Sequence, residues 1–301
     1  MHKILHNVPL APYTTFNIGG PADNFIVFDK TVLQNDFIKP LFILGGGANI
    51  LVSDRGVRGT VVYMGEWTGW GKSSRGGAEA RSICIKSGTP IEPLVDDLCK
   101  RGIGGLEFLA GMPGTIGGAV YMNARAYDKE IADILIETEV LEQDETGAWT
   151  QKTISRFPND FSYKRSPFYA PPRPRVSSSS IILSATFKTY VASPSELIAI
   201  TEAHKQDRTD KGHYRYPSAG SVFKNNRAFG KPTGKIIEEL GLRGLQIGGA
   251  QIAPWHGNFI INTGNATAND VRELITTVQV KAKAALGIDL EPEVLFVGDW
   301  D

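Results

Sequence analysis

Three glycine-rich segments carry the first chemical signal of the chain: NIGGPAD at 17–23, LGGGANILVSD at 44–54 and GMPGTIGGAVYMNARAY at 111–127. Neighbouring glycines have no Cβ to hold other groups off, so their backbone N–H groups can converge on an anion, and a phosphate-bearing ligand suits them. Any one of these loops alone reads as a tight turn. Three of them before residue 128, two directly beside apolar strands, point to a ligand site built from backbone. None is a GxGxxG opening a helix, because Ala48-Asn49-Ile50 follows Gly45-Gly46-Gly47, and no GxxxxGK[ST] is present. The second signal is charge. From Lys205 to Lys235 there are eight bases (Lys205, Arg208, Lys211, Arg215, Lys224, Arg227, Lys231, Lys235) and two acids (Asp207, Asp210), an excess of six positive charges. A solvated face is the ordinary explanation of such a run, and a diphosphate ligand is the functional one. Metal chemistry has no matching pattern. Histidines 2, 6, 204, 213 and 256 show no HExxH spacing, and Cys84 and Cys99 form no CxxC, so neither a catalytic metal nor a zinc ribbon is expected.

The loops need elements to hold them. FIVF (25–28), LFIL (41–44) and VVYM (61–64) read as buried strands separated by glycine loops, in an α/β or α+β arrangement. A helix interrupts them, with Thr89 as N-cap, Pro90 in the first turn, Glu92 completing a capping box, Ile91, Leu94, Val95 and Leu98 on its apolar face, and Gly102 at its end. From about residue 135, ILIETEVLEQ, then GAWTQKTI across a turn at Glu145–Gly147, then SIILSATFKTYV at 180–191 predict antiparallel sheet, with the serines from Ser177 forming a turn into the last strand. A helix starting at Ser193, with Pro194 and Glu196 in its first turn, marks a domain boundary near residue 192. A last helix starts at Thr267, boxed by Asp270, buries Val271, Leu274, Ile275 and Val278, and stops at Gly287.

Composition excludes several classes. With 301 residues, 42% hydrophobic and 21% charged, the chain is of ordinary globular make-up and long enough for about two domains. Its 32 basic and 32 acidic residues cancel, which argues against a nucleic-acid partner. The start, MHKILHNVPLAPYTTF, lacks the apolar run of a signal peptide, and the longest uncharged window, Gly244 to Asn269, is too rich in Gln, Asn, Pro and His for a membrane span. A cytoplasmic protein with reduced thiols and no membrane partner is expected.

The segments NIGGPAD, LGGGANILVSD and GMPGTIGGAVYMNA, followed in order by FSYKRSPF (161–168), PSAGSVFKN (217–225), GLQIGGAQI (244–252) and LEPEVLFVG (290–298), closely resemble the UDP-N-acetylenolpyruvoylglucosamine reductases of bacterial peptidoglycan synthesis. The resemblance runs from residue 13 to 298, and the short spacing between FSYKRSPF and PSAGSVFKN resembles the subtype that lacks an inserted tyrosine loop. It implies an α+β chain: a two-part FAD-binding domain of the vanillyl-alcohol oxidase type (1–70 and 71–192), followed by a smaller α+β substrate-binding domain (193–301). It further implies FAD as cofactor, NADPH as co-substrate, a UDP-sugar as substrate, and a monomer.

Residue by residue, the resemblance implies that Gly45, Gly46, Gly47, Ala48, Asn49 and Ile50, with Gly111, Pro113, Gly114, Thr115, Gly117, Gly118, Ala119 and Asn123, bind FAD through its pyrophosphate. The chemistry that the resemblance implies is hydride delivery to C3 of the enolpyruvyl group, stabilisation of the charge that develops on its carboxylate, and a proton given to C2. Ser221 in PSAGSVFKN matches the proton donor, and its weak acidity calls for nearby positive charge. Glu293 in LEPEV matches the acid near the substrate carboxylate. Strand parity aims it as Leu295, toward an interior, but Glu291 shares that parity, so the choice rests on the resemblance. Tyr163, Arg165, Lys211, Tyr214, Arg215, Asn225 and Gln251 are the implied substrate contacts.

Three positions depart from the family pattern. Ala48 stands where many relatives have a serine whose hydroxyl reaches the phosphate, a loss of about 1 kcal/mol. Arg125 replaces a glycine, so that position must tolerate a side chain without left-handed strain. Lys164 stands where the pattern Tyr-Arg-x-Ser has arginine, keeping the charge and losing the two-pronged fork; Arg165 takes its place only if a strand slips by one residue. Two other readings stay open: a flavin oxidoreductase of the same fold acting on a hydroxy acid or alcohol, with no need of PSAGSVFKN and EPEV, and a sugar-nucleotide-binding relative with weakened catalysis. Lys164→Ala is expected to cut steady-state turnover strongly and Arg165→Ala to leave it near wild type; the reverse result would exchange the two assignments.

Overall fold

Antiparallel strands form where β-branched and charged residues alternate, and the pairing of those strands organises half of the molecule. The computed structural model describes residues 4–29, 41–73, 81–144, 148–155, 161–169 and 180–301. The expected turn at Glu145–Gly147 lies outside them, as do Ser177–Ser179 of the turn expected over Ser177–Ser184, while Ser180 to Ser184 are in a strand instead. Two units form, each from three segments: Met1–Leu5, Asn24–Gly46 and Gly59–Asp207 in the first, and His6–Asp23, Gly47–Arg58 and Arg208–Asp301 in the second.

The first unit contains a five-stranded antiparallel sheet in the order Trp149–Ser155, Leu135–Gln143, Ser180–Lys188, Ser82–Lys86, Trp70–Ser73. Its central strand is buried from Ile181 to Phe187, so both faces must be covered. A register shift sets Glu139 opposite Ser184 and the next residue, Val140, opposite Ile182, leaving Leu183 as an extra residue. Ile181 and Leu183 consequently face a cluster with Ile26, Phe28, Leu41, Val62 and Met64, while Ile182, Ala185 and Phe187 face the helices. The runs Leu41–Leu44 and Thr60–Tyr63 pair in parallel, as buried strands of that apolar character can.

Helices α1 (Ile91–Lys100), α2 (Ile116–Tyr121) and α3 (Ile131–Ile134) belong to this unit, and α4 (Pro194–Asp210) begins in it. The apolar face expected for α1 is buried, Cys99 included. Its cap differs from expectation: Pro90 is the N-cap, with no side-chain bond, and Glu92 completes no capping box. Thr89 is engaged elsewhere, its hydroxyl accepting from the Gly69 N–H at 3.0 Å and donating to the Gly69 carbonyl at 3.2 Å, a tertiary partner that sequence spacing does not reveal. Arg125 has no left-handed φ and lies in a short strand, Arg125–Ala126, so the side chain is tolerated as expected.

One buried carboxylate ties this unit together. Glu107, 3% exposed, accepts from the Gly105 N–H at 2.5 Å and the Tyr190 hydroxyl at 2.7 Å, and meets Lys129 Nζ at 3.3 Å. Burial opposes its ionisation, yet those hydrogen bonds and the lysine charge outweigh burial and hold the carboxyl below the ordinary glutamate value. Burial, then the neighbouring carboxylate, pushes the Tyr190 phenol up to about 12, so it stays a donor.

The second unit contains an antiparallel sheet in the order Ser218–Ser221, Phe259–Asn262, Ala250–Ile252, Gln246–Ile247, and a parallel pair of Ile50–Val52 with Leu295–Val297. Helices α5 (Thr233–Glu239) and α6 (Ala268–Leu286) pack on the cluster of Leu51, Val222, Phe223, Ile252 and Ile260. α6 follows its sequence signature in full: Thr267 and Asp270 form the capping box, Val271, Leu274, Ile275 and Val278 are buried, and Gly287 ends it at φ 70°. A second cap comes from far away in sequence. Asp54 accepts from the Ala268 and Asn269 N–H groups at 2.8 and 3.0 Å, which accounts for the acid in LGGGANILVSD.

Two measurements check these roles. Glu107→Ala should lower unfolding stability by about 2 kcal/mol, because buried donors lose their acceptor. As the folded pKa is depressed, wild-type stability from this group is present above the unfolded pKa and drains as pH falls through the folded one; Glu107→Gln should lack that part of the acid slope in melts run across pH. Asp54→Ala should cost about 1 kcal/mol by urea titration while leaving the capping box of α6 in place.

Candidate active site

Ser221 ends its strand on an irregularity that aims it. Ser218 pairs with Ile261 and Ser221 with Phe259, three steps against two, so a bulge lies at Ala219–Gly220. Gly220 takes φ 71°, a left-handed conformation that glycine adopts without a Cβ penalty. Immediately after Ser221, the Val222 carbonyl accepts the Glu293 N–H at 2.7 Å, and the Lys224 N–H donates to the Glu291 carbonyl at 2.9 Å. The backbones carrying the two expected catalytic groups are therefore joined directly.

Burial separates the two glutamates that sequence parity could not. Glu293 is 9% exposed, whereas Glu291 is exposed and pairs with Lys224 Nζ at 2.5 Å. The parity argument itself fails, because the strand begins only at Leu295 and residues 291–294 do not alternate. Asn49 holds this segment at two points: its Nδ2 donates to the Glu293 carbonyl at 3.1 Å, and its own carbonyl accepts the Leu295 N–H at 3.0 Å.

In the first unit, Lys164 sits in a tight turn closed by reciprocal backbone bonds between Ser162 and Arg165 at 3.1 and 3.0 Å. Lys164 has φ 57°, the left-handed residue of the turn. The expectation that a one-residue strand slip could exchange Lys164 with Arg165 therefore lapses, since a turn has no such register. Tyr163 and Arg165 are exposed, and the Arg165 guanidinium lies 5.7 Å over the Tyr169 ring. The turn is anchored from behind. Asn123, fully buried at φ 45°, donates to the Ser162 carbonyl at 3.1 Å and accepts the Ala132 N–H at 3.0 Å, while Ser166 Oγ donates to the Tyr121 carbonyl at 2.7 Å. Asn123 thus holds protein to protein with the carboxamide expected to face a ligand.

The glycine loops touch backbone to backbone. A Cβ on Gly45 would lie 2.6 Å from Thr115 Oγ1, and one on Gly46 would lie 2.6 Å from the Gly114 Cα. Gly117 donates to the Ser87 carbonyl at 2.7 Å, and Gly111 and Gly114 take φ of 68° and 109°. Beside this contact, Thr115 Oγ1 and Ser87 Oγ are buried hydroxyls with no hydrogen-bond partner among the described residues. Orphaned donors against a cradle that any Cβ would fill fit a group rich in oxygen, and FAD meets that description. Of the rest of the expected set, Gly118 and Ala119 lie in α2, and Pro113 just precedes it. In the second unit, Ala48 precedes the Ile50 strand, and Gly47 takes φ 60° with its carbonyl accepting the Thr15 N–H.

The basic segment carries less free charge than its count suggests. Lys205 pairs with Asp96 at 2.7 Å, Lys224 with Glu291 at 2.5 Å, and Lys235 with Glu238 at 3.3 Å, while Lys231 pairs with Glu239. All four acids lie outside the counted stretch, so sequence arithmetic missed them. Lys211, Tyr214 and Arg215 are exposed, with the Arg215 guanidinium 4.9 Å over the Trp255 ring. Two expected substrate contacts already have protein partners: Asn225 Oδ1 accepts the Thr233 N–H at 2.9 Å, and Gln251 Nε2 donates to the Gly244 carbonyl at 3.2 Å. Asn258 is a residue sequence reading missed. Lying in the uncharged window 244–269, it offered no charge or spacing signal, yet its carboxamide bonds both backbone groups of Phe223.

Comparison with known proteins shows the family and the fold. A model described as UDP-N-acetylenolpyruvoylglucosamine reductase, C-terminal domain, matches residues 212–297, and one described as FAD binding domain matches residues 33–150. The chain is 41% identical to the UDP-N-acetylenolpyruvoylglucosamine reductase of Treponema denticola, over 100% of this chain and 99% of that one. It is 37% identical to UDP-N-acetylenolpyruvoylglucosamine reductase 1 of Bacillus anthracis, over 98% and 95%. The crystal structure of the enzyme from Thermus caldophilus superposes with a TM-score of 0.77 at 32% identity, covering 99% of this chain and 100% of that one. With an FAD-binding fold and full-length kinship to these enzymes, the chain belongs to the UDP-N-acetylenolpyruvoylglucosamine reductase family.

Proposed function

We propose that this chain reduces the enolpyruvyl group of UDP-N-acetylglucosamine enolpyruvate to UDP-N-acetylmuramate, with FAD as cofactor and NADPH as reductant, in peptidoglycan precursor synthesis. The observation that carries this reading is the 2.7 Å bond between the Val222 carbonyl and the Glu293 N–H, which brings a hydroxyl donor and a buried carboxyl into one backbone framework. Bound FAD supplies the hydride chemistry that no side chain possesses. The chain's own residues do the rest. Gly45 and Gly46 against Gly114 and Thr115 receive the pyrophosphate, with Thr115 and Ser87 offering hydroxyls. Ser221 gives the proton to C2, and Glu293 assists charge development at the substrate carboxylate.

Lys164 is the cation for that carboxylate. Its turn presents an ammonium as a point charge, so orientation falls to the surrounding contacts. Tyr163, Arg165, Lys211, Tyr214, Arg215, Asn225 and Gln251 bind the sugar nucleotide, Asn225 with an Oδ1 that also accepts the Thr233 N–H and Gln251 with an Nε2 that also donates to the Gly244 carbonyl. In this reading residues 1–70 and 71–192 hold the cofactor and supply the turn at 163–165 to the substrate that 193–301 otherwise hold, although compact packing divides the chain at Asp207 rather than near residue 192; the enzyme works as a cytoplasmic monomer. No helix among the described residues is long and apolar enough to cross a membrane.

The purified protein should be yellow, bleach anaerobically with NADPH and regain colour with the enolpyruvyl sugar nucleotide. A preparation that cannot be loaded with FAD would sink the proposal. Ser221→Ala should still bleach but regain colour at least about a hundredfold more slowly, the usual scale for a lost general acid; unimpaired recolouring would remove Ser221 from the mechanism.

A further inference from the structure

We infer that Asn258 is a positioning residue for the Ser221 proton donor, an inference that rests on the reading of Ser221 given above. Four hydrogen bonds define its place. Its Oδ1 accepts the Phe223 N–H at 2.9 Å, its Nδ2 donates to the Phe223 carbonyl at 2.8 Å, its own carbonyl accepts the Val222 N–H at 2.9 Å, and its N–H donates to His256 Nδ1 at 3.2 Å. Asn258 is 2% exposed and Phe223 1%, so water does not reach these groups.

The topology explains why a side chain does this. The segment after Ser221 runs antiparallel to residues 291–293, with Phe223 opposite Pro292. The bonds on that edge come from the neighbours, Val222 with Glu293 and Lys224 with Glu291, so the N–H and carbonyl of Phe223 point to the other edge. There the regular ladder stops at Ser221 and Phe259, just past the bulge at Ala219–Gly220. A carboxamide carries the same donor and acceptor as a peptide group, and that of Asn258 takes the place of the missing strand residue. The chain leaving Ser221 is thereby fixed on both edges, by Asn258 on one and by the Glu293 segment on the other. Ser221 itself follows a left-handed glycine whose Cβ position is open space, a pivot that leaves the serine's direction to its pairing with Phe259 and to the bonds on its far side.

Loss of the clamp unpairs two buried backbone groups and frees that pivot. The consequence belongs to proton transfer rather than to flavin reduction, because a displacement of about 1 Å at a reacting group costs up to about a hundredfold in rate. The test compares Asn258→Ala and the milder Asn258→Ser with wild type and Ser221→Ala, all as FAD-loaded full chain. Anaerobic stopped flow should show flavin reduction by NADPH within about twofold of wild type, and reoxidation by the enolpyruvyl sugar nucleotide slowed about tenfold to a hundredfold in Asn258→Ala. The solvent deuterium isotope effect on reoxidation should rise, and hydrogen exchange at residues 222–224 should quicken while that of α6 stays as it was. Should Asn258→Ala not fold, Asn258→Ser carries the same expectations at smaller amplitude. Wild-type reoxidation in both variants, or equal loss in both half-reactions with an unchanged isotope effect, would overturn the inference while leaving Ser221 as donor. If Ser221→Ala reoxidises normally, the donor assignment falls and the positioning role falls with it.

Discussion

The part of the second unit that carries Ser221 and Glu293 depends on a single pairing of unlike segments: a strand that breaks after a bulge at Gly220, and the LEPEV stretch that runs beside it. Neither segment is regular enough to hold itself. Val222 and Lys224 bond to Glu293 and Glu291 through backbone alone, and Asn49 and Asn258 secure the two outer sides with carboxamides. Ser221 and Glu293 keep their relation because polar side chains complete a sheet that sequence propensity would leave unfinished.

The same economy of buried polar groups recurs in the first unit. Asn123 holds the turn that presents Lys164, Glu107 gathers a glycine N–H, a phenol and a lysine, and Thr89 closes on Gly69. Among the described residues, the buried hydroxyls of Ser87 and Thr115 are exceptions, with no hydrogen-bond partner. The two hydroxyls left over stand beside the close approach of the two glycine loops, where a ligand with many oxygens would complete them.

Much of this was legible in the sequence. Alternation gave the antiparallel strands from Leu135 onward, and the capping box and terminal glycine of α6 were readable residue by residue, because both signals are local. Long-range partners were not. Thr89 has the spacing of a cap but bonds Gly69, Asp54 caps a helix more than two hundred residues away, and the lysines counted as a free field meet acids outside the counted stretch. Parity could not separate Glu291 from Glu293, since the residues concerned are not in a strand; burial separates them. Asn258 had no signal because an asparagine among apolar residues carries neither charge nor period.

Lys164 stands at φ 57°, and that value sets two demands on one position against each other. The turn favours glycine or asparagine there, since a Cβ in the left-handed region costs about 1 kcal/mol, while recognition of a carboxylate favours a long cationic side chain. Stability of the turn alone favours glycine at 164, and the role proposed for this residue favours the cation. On the proposed role of Lys164 the chain accepts local strain where it needs charge, and Asn123 and Ser166 anchor the turn that carries that strain.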